Sequence, residues 1–445
     1  MARLGLLLVA VLLVACRGSE TAPTADGATP PAGVEQEGEQ PDSVLDPAPA
    51  PSDGEAALAD EPADDPTGPA DAADPPSTDN QAAPPLDEPA VSDGEATPDP
   101  PPEAVRVPPP PPAPGQPPAQ ELALPPGFVA YRWADEFFQP TVVDFSPDGR
   151  LFIAERFGQV WTVADLDGDG FAETRVLFAE GFREPLTGLL VLDDQTVLVS
   201  DESRLIRLID ADHDGVGETA EVVLDQLPFG RHHSNGMAIG PDGRLYLTIG
   251  STCNECAEAD PLSATIQALD LAGDDLALSD LETIASGLRN PYDIVFTPDG
   301  QLWATDNGSD PPCATPDELN RITPGSHYGW PYCEIDERFS SAVEPALSFG
   351  LHPSADGLIW LDQEPYPDEW RRGFYVALFG SGAFGAPETG KKLQFAQLQP
   401  DGGFTLRDFA TGFANPLDLT LGADGALYVA DFGAGVIYRI FAPSP

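Results

Sequence analysis

Two of the chain's five histidines are adjacent, in Arg231-His232-His233-Ser234-Asn235-Gly236. A histidine can serve as a general base because its pKa lies near neutral. The same side chain equally suits a metal ligand or a hydrogen-bonded structural imidazole. Two acidic segments form a second class: Asp165-Leu166-Asp167-Gly168-Asp169-Gly170 and Asp210-Ala211-Asp212-His213-Asp214-Gly215. Carboxylates at alternate positions around a glycine turn match Ca²⁺ loops, whose ligand spacing is a property of the loop itself. The second segment also carries Glu221 at its twelfth position, as in an EF-hand loop, but no helices flank it. A solvated acidic hairpin is the competing reading. Cys253 and Cys256 have zinc-like spacing, yet no second pair accompanies them, so a disulfide-stapled loop is the better reading. Cys313 and Cys333 complete a set of four disulfide candidates, for which sequence alone allows three pairings.

A repeat positions these residues. Val143 to Ile153 reads apolar strand, Ser146-Pro147-Asp148-Gly149 turn, apolar strand, and Met237 to Leu247 repeats it through Pro241-Asp242-Gly243. Further copies run from Ile294 to Trp303 and from Leu419 to Tyr428, with degenerate copies at Gly188–Val199 and Gly357–Ala377. Asp-Gly supplies the positive φ of a tight hairpin, and proline pre-sets the residue before it. Six hairpins spaced about 45 to 65 residues apart, without long amphipathic helices, predict an all-β, six-bladed β-propeller over residues 121–445. In such a fold the loops at one end converge on the central channel, and His232 stands just before the third inner hairpin.

The first quarter of the chain is different. Residues 17 to 120 contain no aromatic residue and only Arg17 and Arg106 as cations. Such a segment buries too little apolar surface to offset the entropy of ordering, so 16–120 reads as a disordered Pro/Ala/acidic linker. Pro108 to Pro112 favours polyproline II. A linker of this length spans about 55 Å or more. Before it, Arg3 and the short apolar run Leu4 to Val14 form a signal peptide over 1–15, too short to span a membrane. Leu13-Val14-Ala15-Cys16 matches a lipobox, which makes Cys16 the lipidation site and the protein an exported, membrane-anchored lipoprotein. The formal charge of −53, from 21 Lys+Arg against 74 Asp+Glu, excludes a nucleic-acid partner, since phosphate binding needs a basic patch.

From His232 through Gly236-Met237-Ala238-Ile239-Gly240-Pro241-Asp242-Gly243 the chain resembles the segment that holds the base of sugar dehydrogenases dependent on pyrroloquinoline quinone (PQQ). The resemblance continues in Leu245 to Ser251 and in Gly287-Leu288-Arg289-Asn290-Pro291. Leu302 to Gly308, Asp317-Glu318-Leu319-Asn320 and Tyr328-Gly329-Trp330-Pro331-Tyr332-Cys333 extend it further. Cys253-Asn254-Glu255-Cys256 is typical of the sorbosone-dehydrogenase-like branch. The resemblance implies His232 as the base, Arg289 and Asn290 as PQQ ligands, and the carbonyls of Gly308 and Ser309 as Ca²⁺ ligands. It implies oxidation of an aldose, a sorbosone-like aldehyde or a related alcohol. Three positions depart from the family pattern: Leu186 where a glutamine is expected, Asn415 for an arginine, and Phe379 for a histidine. Lys391 or Lys392 is a candidate to replace a missing cation. These departures keep open a non-enzymatic propeller that binds a glycan or protein. A Ca²⁺-dependent lactonase-type hydrolase would instead draw on Asn235, Asn290 and Asp293.

Overall fold

The computed structural model describes residues 117–442, apart from 234–235, 274, 312–313, 332–340 and 382–388. The signal peptide, Cys16, nearly all of the linker, Ser234, Asn235, Cys313 and Cys333 therefore lie outside the described residues.

The described strands form six sheets. Each begins at the ring centre with one of the hairpins read from the sequence: Pro140–Phe145 with Leu151–Glu155, Gly188–Val191 with Thr196–Ser200, and Met237–Ile239 with Leu245–Ile249. Pro291–Phe296 with Leu302–Asp306, Ala355–Leu361 with Gly373–Leu378, and Pro416–Leu421 with Leu427–Asp431 complete the six. The Asp-Gly turns do what their composition demands. Gly149 has φ +92°, and Ser146 Oγ donates to Asp148 Oδ1 at 2.5 Å, closing the turn from within. No α-helix occurs among the described residues, only two single-turn 3₁₀ segments.

The ring closes through the first and last of the described strands. Val129–Ala134 pairs with Val436–Phe441 as the outermost strand of the last blade, so the first and last segments share one sheet. Apolar clusters lie between blades; the largest joins Phe395, Phe409, Tyr375 and Tyr366 to Phe128, Leu427 and Tyr438. An aspartate on the inner strand provides a second, polar clasp. Asp144 accepts the amide of Val191 at 2.8 Å, Asp293 that of Leu358 at 2.7 Å, and Asp418 that of Val143 at 2.8 Å. Each bond crosses from one blade to the next. These carboxyls line the central channel, and burial raises the pKa of all three, Asp144 to about 6 and Asp293 to about 7.

Candidate functional site

At the end of the ring opposite the Asp-Gly turns, the loops preceding the inner strands meet those that follow each hairpin. They enclose a cavity of about 280 Å³. Arg231, His232, Arg289, Asn290, Asn307 and Gly308 line one wall, and His352, Ser354, Phe379 and Gly380 belong to the facing side. The chemistry predicted from scattered segments is thus gathered in one place.

His232 enters through a backbone pairing with the strand end that follows the third hairpin: its N–H donates to Ser251 O at 3.1 Å, and Gly250 N–H donates to His233 O at 3.1 Å. Position 250 must be glycine, because a Cβ there would stand 2.5 Å from His232 Cβ. The Nδ1 atom of His232 meets Ser251 Oγ at 2.8 Å. Burial first, then the positive charges of Arg289 and Arg231, push the imidazole pKa down to about 2. The ring is therefore neutral and keeps one nitrogen unprotonated, with a basicity well below that of a free imidazole.

Arg289 is only 3% exposed. The turn before it is set by Asp306, whose two oxygens accept the amides of Arg289 (3.1 Å) and Asn290 (2.7 Å). Its guanidinium donates to Asn254 O, Asn254 Oδ1 and Asn307 O at 3.3, 2.8 and 3.1 Å, and pairs with Asp310 at 3.2 Å. Asp310 also holds Arg231. Four of the five guanidinium N–H groups are therefore engaged, which leaves one at Nη1 for a ligand. Arg289 is thus held in an ion pair between two loops. Asn290 Nδ2 donates to Asn307 Oδ1 at 2.8 Å.

Gly308 donates its amide to Asp317 at 3.0 Å, and a Cβ there would lie 2.2 Å from Thr315 O. Ser309 is fully buried; its carbonyl accepts from Thr315 N–H at 3.1 Å, leaving one lone pair. Its hydroxyl donates to Glu255 Oε1, while Glu255 Oε2 is buried with no partner among the described residues. A buried carboxylate oxygen without a partner among the described residues, on a glutamate whose other oxygen is bonded to Ser309, is the kind of donor a hard cation takes. A cationic guanidinium, an amide and a neutral imidazole around the cavity suit a planar anion. The residues present thus fit both a PQQ-like ligand and Ca²⁺.

Cys253 and Cys256 are joined by a disulfide, which replaces the zinc alternative with a cross-link. Of the three departures, Phe379 lines the cavity with its ring 5.5 Å from that of Phe432. Asn415 lies behind it, donating to Phe379 O at 3.1 Å. Leu186 is fully buried in an apolar cluster with Phe152 and Phe178. Lys392 is paired with Asp408 at 2.7 Å, whereas the Lys391 side chain runs beside Gly380 on the cavity wall. Asn290 and Asp293, which the lactonase reading needs at one metal, line different cavities.

Both acidic loops lie at the opposite end of the ring, between the third and fourth strands of their blades. In each, three aspartates are joined by a glutamate that sequence reading missed: Asp165, Asp167, Asp169 with Glu173, and Asp210, Asp212, Asp214 with Glu218, all ligand atoms within 4.8 Å of one another. Glu221 does not close the ring. It sits on the strand Thr219–Leu224, facing Arg207 at 3.6 Å. The signal was present in the sequence, since both glutamates stand eight residues after the first aspartate. Ser251, Asn254 and Asp310 were also missed, because nothing in their local spacing marks them as partners of His232 and Arg289.

A family model described as a domain of unknown function (DUF7133) matches residues 116–328. A 139-residue stretch is 29% identical to quinoprotein glucose dehydrogenase B of Acinetobacter calcoaceticus, covering 24% of this chain. The chain spans only 28% of the length of that curated relative. Among solved structures, the holo form of the PQQ domain of pyranose dehydrogenase from Coprinopsis cinerea superposes with a TM-score of 0.61 at 16% identity, covering 75% of this chain and 99% of that one. The calcium structure of a Trichoderma reesei carbohydrate-active enzyme of family AA12 gives 0.63 at 16% identity, covering 74% and 98%. The likeness to PQQ-dependent sugar dehydrogenases read in the sequence is thus matched by homology over part of the chain and by fold over nearly all its described length.

Proposed function

We propose that the protein is a PQQ-dependent sugar dehydrogenase with His232 as its base. The observation that carries this reading is the convergence of a neutral imidazole, a buried arginine–asparagine pair and Gly308 on one cavity. His232 would take the hydroxyl proton of an aldose, a sorbosone-like aldehyde or a related alcohol at its cavity-facing nitrogen. Arg289 and Asn290 would donate to the oxygens of the cofactor, and Gly308 and Ser309 would offer carbonyls to Ca²⁺. When bound, PQQ supplies the hydride-accepting quinone, and the cation polarises it. Because Arg289 and Arg231 depress the basicity of His232, an anionic ligand against them would restore part of it. The carboxylates of Asp165, Asp167, Asp169, Asp210, Asp212 and Asp214 form two further candidate Ca²⁺ loops, remote from the reaction. The lipobox at Cys16 and the linker support export and membrane anchoring, with electrons passing to an acceptor outside the cell or in the periplasm.

A second reading, a propeller that binds a glycan or protein without cofactor, is favoured by Phe379 and Asn415, which stand where the family pattern has polar partners for a quinone with three carboxylates. Titration of the mature chain with PQQ and Ca²⁺, followed by a dye-linked assay over aldoses, separates the two. Saturable binding with sugar-dependent dye reduction is expected. Absence of binding at micromolar PQQ would sink the dehydrogenase.

A further inference from the structure

We propose that the disulfide-closed loop Cys253–Cys256 sets the tautomer of His232, with Ser251 as the positioning residue that transmits it. The inference deepens the dehydrogenase reading and rests on it for its catalytic meaning. Ser251 Oγ lies 2.8 Å from His232 Nδ1 and 2.8 Å from the carbonyl oxygen of Cys253. A hydroxyl has one proton, and a carbonyl oxygen can only accept. The proton must therefore point to Cys253 O, since otherwise two oxygen lone pairs would face each other at that distance. Ser251 Oγ is then an acceptor towards the ring, and Nδ1 carries the imidazole proton. The lone pair is left on Nε2, the nitrogen a cavity ligand can reach. Burial, and after it the charges of Arg289 and Arg231, disfavour a second ring proton.

The arrangement depends on the place of one carbonyl. Ser251 is fully buried and donates its own amide to Arg289 O at 2.8 Å. The disulfide closes the loop around Cys253, and Asn254 is gripped from outside: its backbone oxygen accepts from Arg289 Nε at 3.3 Å and Trp330 Nε1 at 3.1 Å. Its side-chain oxygen accepts from Asp310 N–H at 2.9 Å. The cross-link and the cofactor-side arginine thus hold the acceptor that fixes the base.

The test is the ring ¹⁵N spectrum of His232 in the mature chain without cofactor, its signals assigned by loss in His232→Gln. The wild type should show a protonated Nδ1 and a bare Nε2. Ser251→Ala should shift the population towards the Nε2–H form, and Ser251→Thr, which keeps the hydroxyl, should restore the wild-type pattern. The Cys253→Ser/Cys256→Ser double variant should mix the tautomers as well, through a loosened loop. An Nε2–H ring in the wild type, or an unchanged ring in a folded Ser251→Ala protein, overturns the proposal. In turnover, Ser251→Ala should lower kcat about tenfold or more with PQQ affinity unchanged, and an unaltered kcat would also overturn it. A wild type that binds no PQQ would instead sink the dehydrogenase reading, while the spectrum still decides the tautomer.

Discussion

The two walls of the cavity are built differently. On the wall from the third and fourth blades, Arg289, Asn290, Asp306, Asn307 and Asp310 form a connected network in which each charge has a partner. On the facing wall stands Phe379, packed on Phe432, with the polar amide of Asn415 turned onto a backbone carbonyl behind it. One side is organised to orient a proton acceptor and receive an anion; the other sets a phenyl ring alongside His352, Ser354 and the Lys391 side chain that runs beside Gly380. The difference teaches that the chemistry and the grip on the cofactor are separable. If His232 is the base, as proposed, the wall with Arg289 supplies the proton acceptor and an anion partner while few cations stand across the cavity, so weak cofactor affinity with competent chemistry is the expected combination.

The largest effect should come from the polar wall. His232→Ala should lower sugar-dependent dye reduction by about 10²- to 10⁴-fold while leaving PQQ binding nearly intact. Retained activity would remove His232 from the reaction. Arg289→Gln should weaken PQQ binding by about 10- to 100-fold and lower stability too, because Asp310 would lose its buried guanidinium and keep the exposed Arg231 and the more distant His352. An affinity equal to wild type would place the anion elsewhere.

Repairing the facing wall sharpens the comparison. Phe379→His with Asn415→Arg should tighten PQQ about tenfold, the size of one charge-assisted hydrogen bond. Unchanged binding in isothermal titration would mean that this wall does not face the cofactor. The smallest effect lies below both walls, in the channel. Burial raises Asp144 to about 6 and Asp293 to about 7, above their unfolded values. Their contribution to stability is therefore full below about pH 4 and lost as pH rises through about 6 to 7. The melting temperature should fall by roughly 5 °C between pH 5 and pH 8, and Asp293→Asn should flatten that slope. A flat wild-type profile would show that these carboxyls are ionised throughout.

How much of this was legible beforehand depends on the range of the interaction. The six hairpins could be read because an Asp-Gly turn between two apolar runs is a local code, repeated until it implies closure. The acidic loops were legible for the same reason, although Glu173 was not noticed and Glu218 was passed over for Glu221, which matched a helix-flanked pattern that strands do not satisfy. Arg289 does line the cavity, but its neutralisation by Asp310 and its anchoring on Asn254 were not visible, since each joins a different loop.

The sequence by itself thus determined the blade count, the hairpin register and the residue types available at the cavity, all matters of turn chemistry and alternation over a few positions. Only the tertiary structure decided that Ser251 faces His232, that Glu255 leaves a bare oxygen beside Ser309, and that Leu186 belongs to the core instead of the cavity. Those outcomes depend on how separate loops meet once the ring closes, and burial and the sharing of protons between distant groups exist only after that closure.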